Sequence, residues 1–232
     1  MNHDNLINQK LITIAENEQR VFDSGKKKAW NDFWDIFQQN GSRTLYTAAF
    51  SSDWNDEIFK PKYNINVVAG NKMFYRSKIT NLKQILIDCG VVLDFSKATT
   101  LDEVFSENSF ITHLPTIDTR SASRFPALFY SAPKLVEIEK LILKDAGSQS
   151  YNRAFDNLWL LENIVVEGKF GENLPFAQSP LLTNDSVNSI INALKDYSGT
   201  SDTRTLTLHE NVKAKLTEEQ IAIANQKGWT IA

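Results

Sequence analysis

The sequence predicts an α+β chain: an N-terminal helix, then a short solenoid of stacked repeats with parallel strands, then a C-terminal α/β cap. Three observations predict it. An apolar spacing of helical period fills the first forty residues, a Phe-led pattern recurs through the middle, and the last fifty residues change character. Composition permits such a core, because 42% of the 232 residues are apolar and only 23% charged, which excludes a disordered or collagenous chain. Fourteen Phe outnumber five Trp and six Tyr together, so the position of Phe is the question to follow.

Residues 1–40 read as a helical region. Ile7, Leu11, Ile14 and Val21 form a narrow heptad-like seam with Glu18 at the skipped position. Such a seam either meets the same helix in partner chains as a coiled coil or packs on its own domain. Ser24-Gly25 interrupts it, and Lys26-Lys27-Lys28 reads as a solvated turn. Trp30, Phe33, Trp34 and Phe37 then fall on one helical face that would plug the end of a hydrophobic core, and Asn40-Gly41 ends the helix.

Residues 41–182 carry the repeat. From 42 to 70 the text is irregular, with Tyr46, Phe50, Trp54, Phe59 and Tyr63 spread among polar residues as anchors of a surface loop. Its Asp53, Asp56 and Glu57 lack the glycine and alternating ligands of a calcium loop. Phe105, Phe129, Phe155 and Phe176 follow at steps of 24, 26 and 21 residues. Each is followed six residues on by Ile111, Leu135, Leu161 or Leu182, and a looser copy begins at Met73-Phe74. Self-similarity at this period is the signature of a leucine-rich-repeat solenoid, because one segment cannot bury its own Phe and Leu and stacked ones can. Residues 114–118, 138–143 and 163–167 are the expected parallel strands, with a ladder of Phe beneath.

Residues 183–232 form the cap. Val187, Ile190, Ile191 and Leu194 give an amphipathic helix, residues 203–208 alternate as a strand, Thr217 to Gln220 is a capping box, and residues 229–231 close the chain as a strand.

The spacing Phe-x5-Leu-x2-Ile-x2-Leu/Ile resembles the BspA-like leucine-rich repeats of bacterial surface proteins. The phrase from Ile14 to Trp34, with Ile79-Thr-Asn-Leu82, Asp118-Thr-Arg-Ser121, Leu216-Thr-Glu-Glu-Gln-Ile221 and Lys227-Gly-Trp229, resembles a module of phage tail-fibre-type proteins and of prophage-bearing Firmicutes. The resemblance implies an extracellular binding role on a virion appendage or a bacterial surface, and it favours a homotrimer. It supplies no catalytic motif.

The function expected is therefore a non-enzymatic receptor-binding or adhesion module. Its partners would be further copies of itself, virion or baseplate proteins, and a host cell-surface glycan or protein. A virion structural or decoration protein and a polysaccharide depolymerase are the alternatives. A net charge of −3 gives no basic excess for nucleic acid, and no long apolar window predicts membrane insertion. No cofactor or metal is expected: Cys89 is a single small hydrophobe and the three His show no ligand spacing. A Ser109/His113/Asp118 grouping has no known nucleophile geometry. The ligand contacts are expected among polar residues on or beside the strand face, where side chains alternate outward: Thr112, His113, Thr116, Glu137, Glu139, Glu162 and Asn163, with Tyr130 after a core Phe.

Overall fold

The computed structural model describes Phe50 and residues 54–232. The seam residues Ile7, Leu11, Ile14 and Val21 and the stripe from Trp30 to Phe37 lie outside the described residues, as does Asp53.

In chain order the elements are β1 (Ile65–Asn66), α1 (Leu82–Cys89), β2 (Leu93–Asp94), β3 (His113–Asp118), β4 (Glu137–Ile142), β5 (Asn163–Glu167) and β6 (Leu174–Phe176). They continue with α2 (Asn184–Asn192), β7 (Arg204–Leu208), α3 (Glu210–Lys213), α4 (Glu218–Gln226) and β8 (Trp229–Ile231). The expected α+β class, with one leucine-rich-repeat solenoid between a helix and a cap, is corrected. The described residues form three separate small sheets, β1-β2, β3-β4-β5 and β6-β7-β8, every pairing parallel, with four helices beside them.

The physical reason lies at the sheet edges. Beyond β5 the next segment is a helix, and its hydroxyls take the place of strand carbonyls: Ile164 N–H donates to Ser186 Oγ at 2.9 Å and Val166 N–H to Ser189 Oγ at 2.8 Å. Before β3, the chain enters α1 at Asn81, whose side chain caps Gln84 N–H at 2.9 Å; only a single bridge links Asn81 to His113. The repeating Phe and Leu mark burial, and they carry no information about which edge a helix will close.

The strands do fall near the positions expected from the repeat. Register pairs His113 with Glu137 and Asn163, and Leu114 with Ile138 and Ile164. Opposite them runs a second ladder outside any strand. Lys72, Phe74 and Arg76 donate to carbonyls of Asp102, Val104 and Ser106. Glu103, Phe105 and Glu107 donate to Pro126, Leu128 and Tyr130, and Ala127, Phe129 and Ser131 to Asn152, Ala154 and Asp156. These nine bonds span 2.7–3.2 Å. The outer donors of each trio, with Arg153 and Asn157 in the next segment, have positive φ between 51° and 62°, and none is glycine. A side chain in that conformation costs roughly 1 kcal/mol or more. Bonds to the next segment offset it.

Between the two ladders run the rings. Phe50, Phe74, Phe105, Phe129, Phe155 and Phe176 are all fully buried, with successive centroids 5.4, 5.3, 6.0, 6.0 and 4.8 Å apart. Trp54 and Phe59 pack edge-on around Phe50, so the aromatics expected to anchor a surface loop instead form the head of this column. Buried amides tie segments together as well. Gln149 donates to the Thr119 and Ala122 carbonyls at 2.6 and 2.9 Å and accepts Lys144 N–H at 2.8 Å. At one corner the backbones nearly touch: a Cβ on Gly171 would lie 1.7 Å from the Gly147 carbonyl oxygen, so only glycine fits.

At the C-terminal end Thr217 and Gln220 complete the expected capping box. Gln220 Nε2 also donates to Asn184 Oδ1 and Asn188 Oδ1 at 2.8 and 2.7 Å, fastening α4 onto α2. The short helix α3, capped by His209, has no counterpart in the sequence reading.

Two stability changes follow. Phe129→Ala removes a ring from the middle of the column and is expected to cost about 3–5 kcal/mol in urea unfolding. Ala127→Gly is expected to raise stability by about 0.5–1 kcal/mol, against the usual sign for this exchange, because Ala127 sits at φ 51°. Loss of stability in the glycine variant would show that the left-handed backbone is unstrained.

Candidate binding surface

The residues between the inward pairs set what the sheet shows to solvent. In β3 and β4 the buried positions are three apart, Leu114 and Ile117, Ile138 and Leu141, so two consecutive side chains face out between them. In β5 the register shifts and Val165 alone faces out, half exposed. Strict alternation, expected from the sequence, therefore fails here. The register between β3 and β4 is regular, and Thr116 and Glu139 both fall among the outward residues between those inward pairs.

Five of the eight expected residues come together there. Glu139 Oε2 accepts both the Thr116 N–H and the Thr116 hydroxyl at 3.1 Å. Lys83, from the first turn of α1, places its Nζ 3.1 Å from Glu137 Oε1 and 3.3 Å from Glu139 Oε1. Partial burial would lower the Lys83 ammonium's pKa, and the two carboxylates more than offset it, so it stays above the usual lysine range. Thr112 donates its hydroxyl proton to the Thr80 carbonyl at 2.8 Å and lies 2.9 Å from His113 Nδ1. The other ring nitrogen, Nε2, lies 4.0 Å from Glu137 Oε2. Lys83 is the residue that sequence reasoning missed: nothing in α1 marks it as the counter-ion of a strand two segments away.

Of the other three, one flanks this cluster and two face elsewhere. Asn163 continues the His113–Glu137 row on β5, with its Oδ1 3.3 Å from Thr183 Oγ1. Glu162 acts through its backbone carbonyl, which accepts from Thr183 N–H and the Ser186 hydroxyl. Tyr130 sits elsewhere, its ring 4.0 Å beneath the Arg153 guanidinium, in a cleft of about 400 Å³ shared with Arg76, Glu107 and Phe110.

The Ser109/His113/Asp118 grouping is not assembled. His113 and Asp118 stand at opposite ends of β3, about 16 Å apart at the usual strand rise. Asp118 is instead bonded to Arg120, with Nη2 to Oδ2 at 2.7 Å. Burial pushes its pKa up, and the side-chain and backbone bonds from Arg120 outweigh that, holding it below the usual carboxylate range. Asp56 is likewise structural, taking the Thr80 N–H at 2.7 Å and the Thr80 hydroxyl. Cys89, only half buried at the end of α1, has its thiol pushed up by desolvation, against its use as a nucleophile.

A second feature stands out among the exposed residues. Phe110, Trp159, Leu160 and Leu181 are 42–45% exposed, unusual for side chains so large. They occupy the fourth or fifth place after Phe105, Phe155 and Phe176, immediately before the buried Ile111, Leu161 and Leu182 that lead into the next strand or helix. In the remaining repeat the fifth place is Lys134, whose Nζ lies 5.7 Å above the Phe110 ring. The repeat itself carried this signal, as an apolar residue in a spacer that burial does not require.

No family model, curated protein or solved structure matches the chain.

The Asp118 carboxylate gives a pH test. Its folded pKa is depressed, so the stabilisation is present above the unfolded value of about 3.9 and lost as pH falls through the folded one. The stability difference between the native chain and Asp118→Asn, measured by urea unfolding, is expected to be constant from pH 5 to 8 and to shrink below pH 4. A difference that persists unchanged in acid would show that the charge contributes nothing.

Proposed function

We propose that this chain is a non-enzymatic recognition module that binds a ligand displayed on a cell surface, as a virion receptor-binding protein or a surface adhesin does. The observation that carries the reading is the pairing of two exposed features: large apolar side chains at recurring places after the buried rings, Phe110, Trp159, Leu160 and Leu181, and the polar cluster of Lys83 with His113, Glu137 and Glu139 on the strands that follow two of those places in the chain. Large apolar anchors bordered by hydrogen-bonding groups are the composition that recognition surfaces share, with a few residues supplying most of the affinity. Trp159 is the natural anchor, being large, rigid and nearly half exposed. The charged groups are already paired with one another, so they are suited to orienting a ligand and less to chemistry on it.

Binding of the full chain to candidate host cells, and to their purified cell-wall polysaccharide, tests the proposal. Trp159→Ala is expected to weaken binding tenfold or more, as loss of an anchor costing about 1.4–3 kcal/mol does, with the melting temperature unchanged. Absence of binding at micromolar protein would overturn the reading and favour contacts confined to other proteins of an assembly. Release of reducing ends from the polysaccharide would replace it with a depolymerase.

A further inference from the structure

The left-handed ladder has a direction. In each segment three N–H groups point to the following segment and the carbonyls accept from the preceding one. The ladder runs through three interfaces and then loses its acceptors. Arg153, Phe155 and Asn157 hold the donor places of the last segment, with Arg153 and Asn157 still at positive φ. Asn157 N–H finds the Gln178 side chain at 2.9 Å. The N–H groups of Arg153 and Phe155 have no acceptor among the described residues. The next segment is extended there as β6, with Pro175 at its centre, and pairs with β7 instead.

A cleft of about 560 Å³ opens where the ladder stops, with Tyr151, Arg153, Glu172, Pro175 and Arg204 in its lining. Two guanidinium groups border it. Arg153 is 55% exposed, stacked over Tyr130, with Nε 3.6 Å from Asp156. Arg204 is 29% exposed; its Nε donates to the Gly171 carbonyl, Nη1 to the Thr203 carbonyl, and Nη2 lies 3.8 Å from Asp202. Neither pairing uses all five N–H groups of a guanidinium. Glu172 is the opposing charge in the lining. Its backbone is fixed by the Tyr151 hydroxyl at 2.6 Å, and the residue itself is exposed. Left-handed backbone with unaccepted N–H groups forms an anion-attracting concavity, and charge-assisted bonds from arginine are the strong kind for an oxyanion.

We propose that this cleft is a binding site for an oxyanion, the phosphate or carboxylate group of a small ligand or polymer unit. Arg153 and Arg204 would supply charge, and the Arg153 N–H a backbone donor. Neither Trp159 nor the cluster of Lys83, His113, Glu137 and Glu139 lines this cleft, so failure of its test leaves the recognition reading standing.

Titration of the full chain with inorganic phosphate and with glucuronate, followed by amide chemical shifts, tests it; glucose is the neutral control. Saturable shifts at the Arg153 and Phe155 amides are expected with phosphate or glucuronate and not with glucose, and the tighter of the two tells which group the ligand bears. Arg153→Gln is expected to weaken binding at least tenfold at unchanged melting temperature. Glu172→Gln, which removes the opposing charge without touching a donor, is expected to tighten it several-fold. Absence of saturable shifts with both anions, or equal response to glucose, would overturn the proposal. So would Glu172→Gln binding no more tightly than the native chain.

Discussion

The column of six phenyl rings depends on the left-handed ladder that holds successive segments at stacking distance. Phe74, Phe105 and Phe129 are the central donors of the three bonded trios. The same backbone bonds that space the segments therefore space the rings, and Phe74, Phe105 and Phe129 lie within 9° of parallel to their neighbours in this stretch. The parallel order of the planes is confined to that stretch: Phe129 meets Phe155 at 41° although their segments are still bonded, and Phe155 meets Phe176 at 36° beyond the ladder's end. Burial of the rings and bonding of the backbone are one event in this fold, since neither surface can close unless the next segment is in place.

The strand side works under a looser constraint. Its three sheets are short, the register shifts between β4 and β5, and helices take over where a strand would otherwise follow. What keeps the segments level is a set of side chains that stand in for backbone: Ser186 and Ser189 at an edge, Gln149 in the interior. This freedom lets two outward residues fit between inward ones in β3 and β4, and the Lys83–Glu137–Glu139 cluster follows from it.

Periodicity of Phe and Leu made the buried column and the approximate strand positions legible, and Thr217-Glu-Glu-Gln220 announced its own cap. The division into three sheets was not legible, because Ser186 and Ser189 look in the sequence like ordinary polar residues of an amphipathic helix. The left-handed pairs were hidden for a similar reason. Lys72, Arg76, Glu103, Glu107, Ala127, Ser131 and Arg153 give no hint of positive φ, and only Asn157 is a type that favours it. At the candidate surface the polar strand residues could be named one by one. Their partner Lys83 could not, since it reaches them from another segment, and neither could the side of the column that Tyr130 takes, because proximity to a core Phe says nothing about it.

The serine-closed edge of β5 also bears on how the molecule behaves in a crowd. A parallel strand with open N–H groups is a template on which any extended chain can grow, and proteins commonly blunt such edges with lysine, proline or a bulge. Here two hydroxyls, fixed on one face of α2 three residues apart, occupy the template from within. The sheet is terminated by its own chain, and growth into fibrils from this edge would first require the helix to leave.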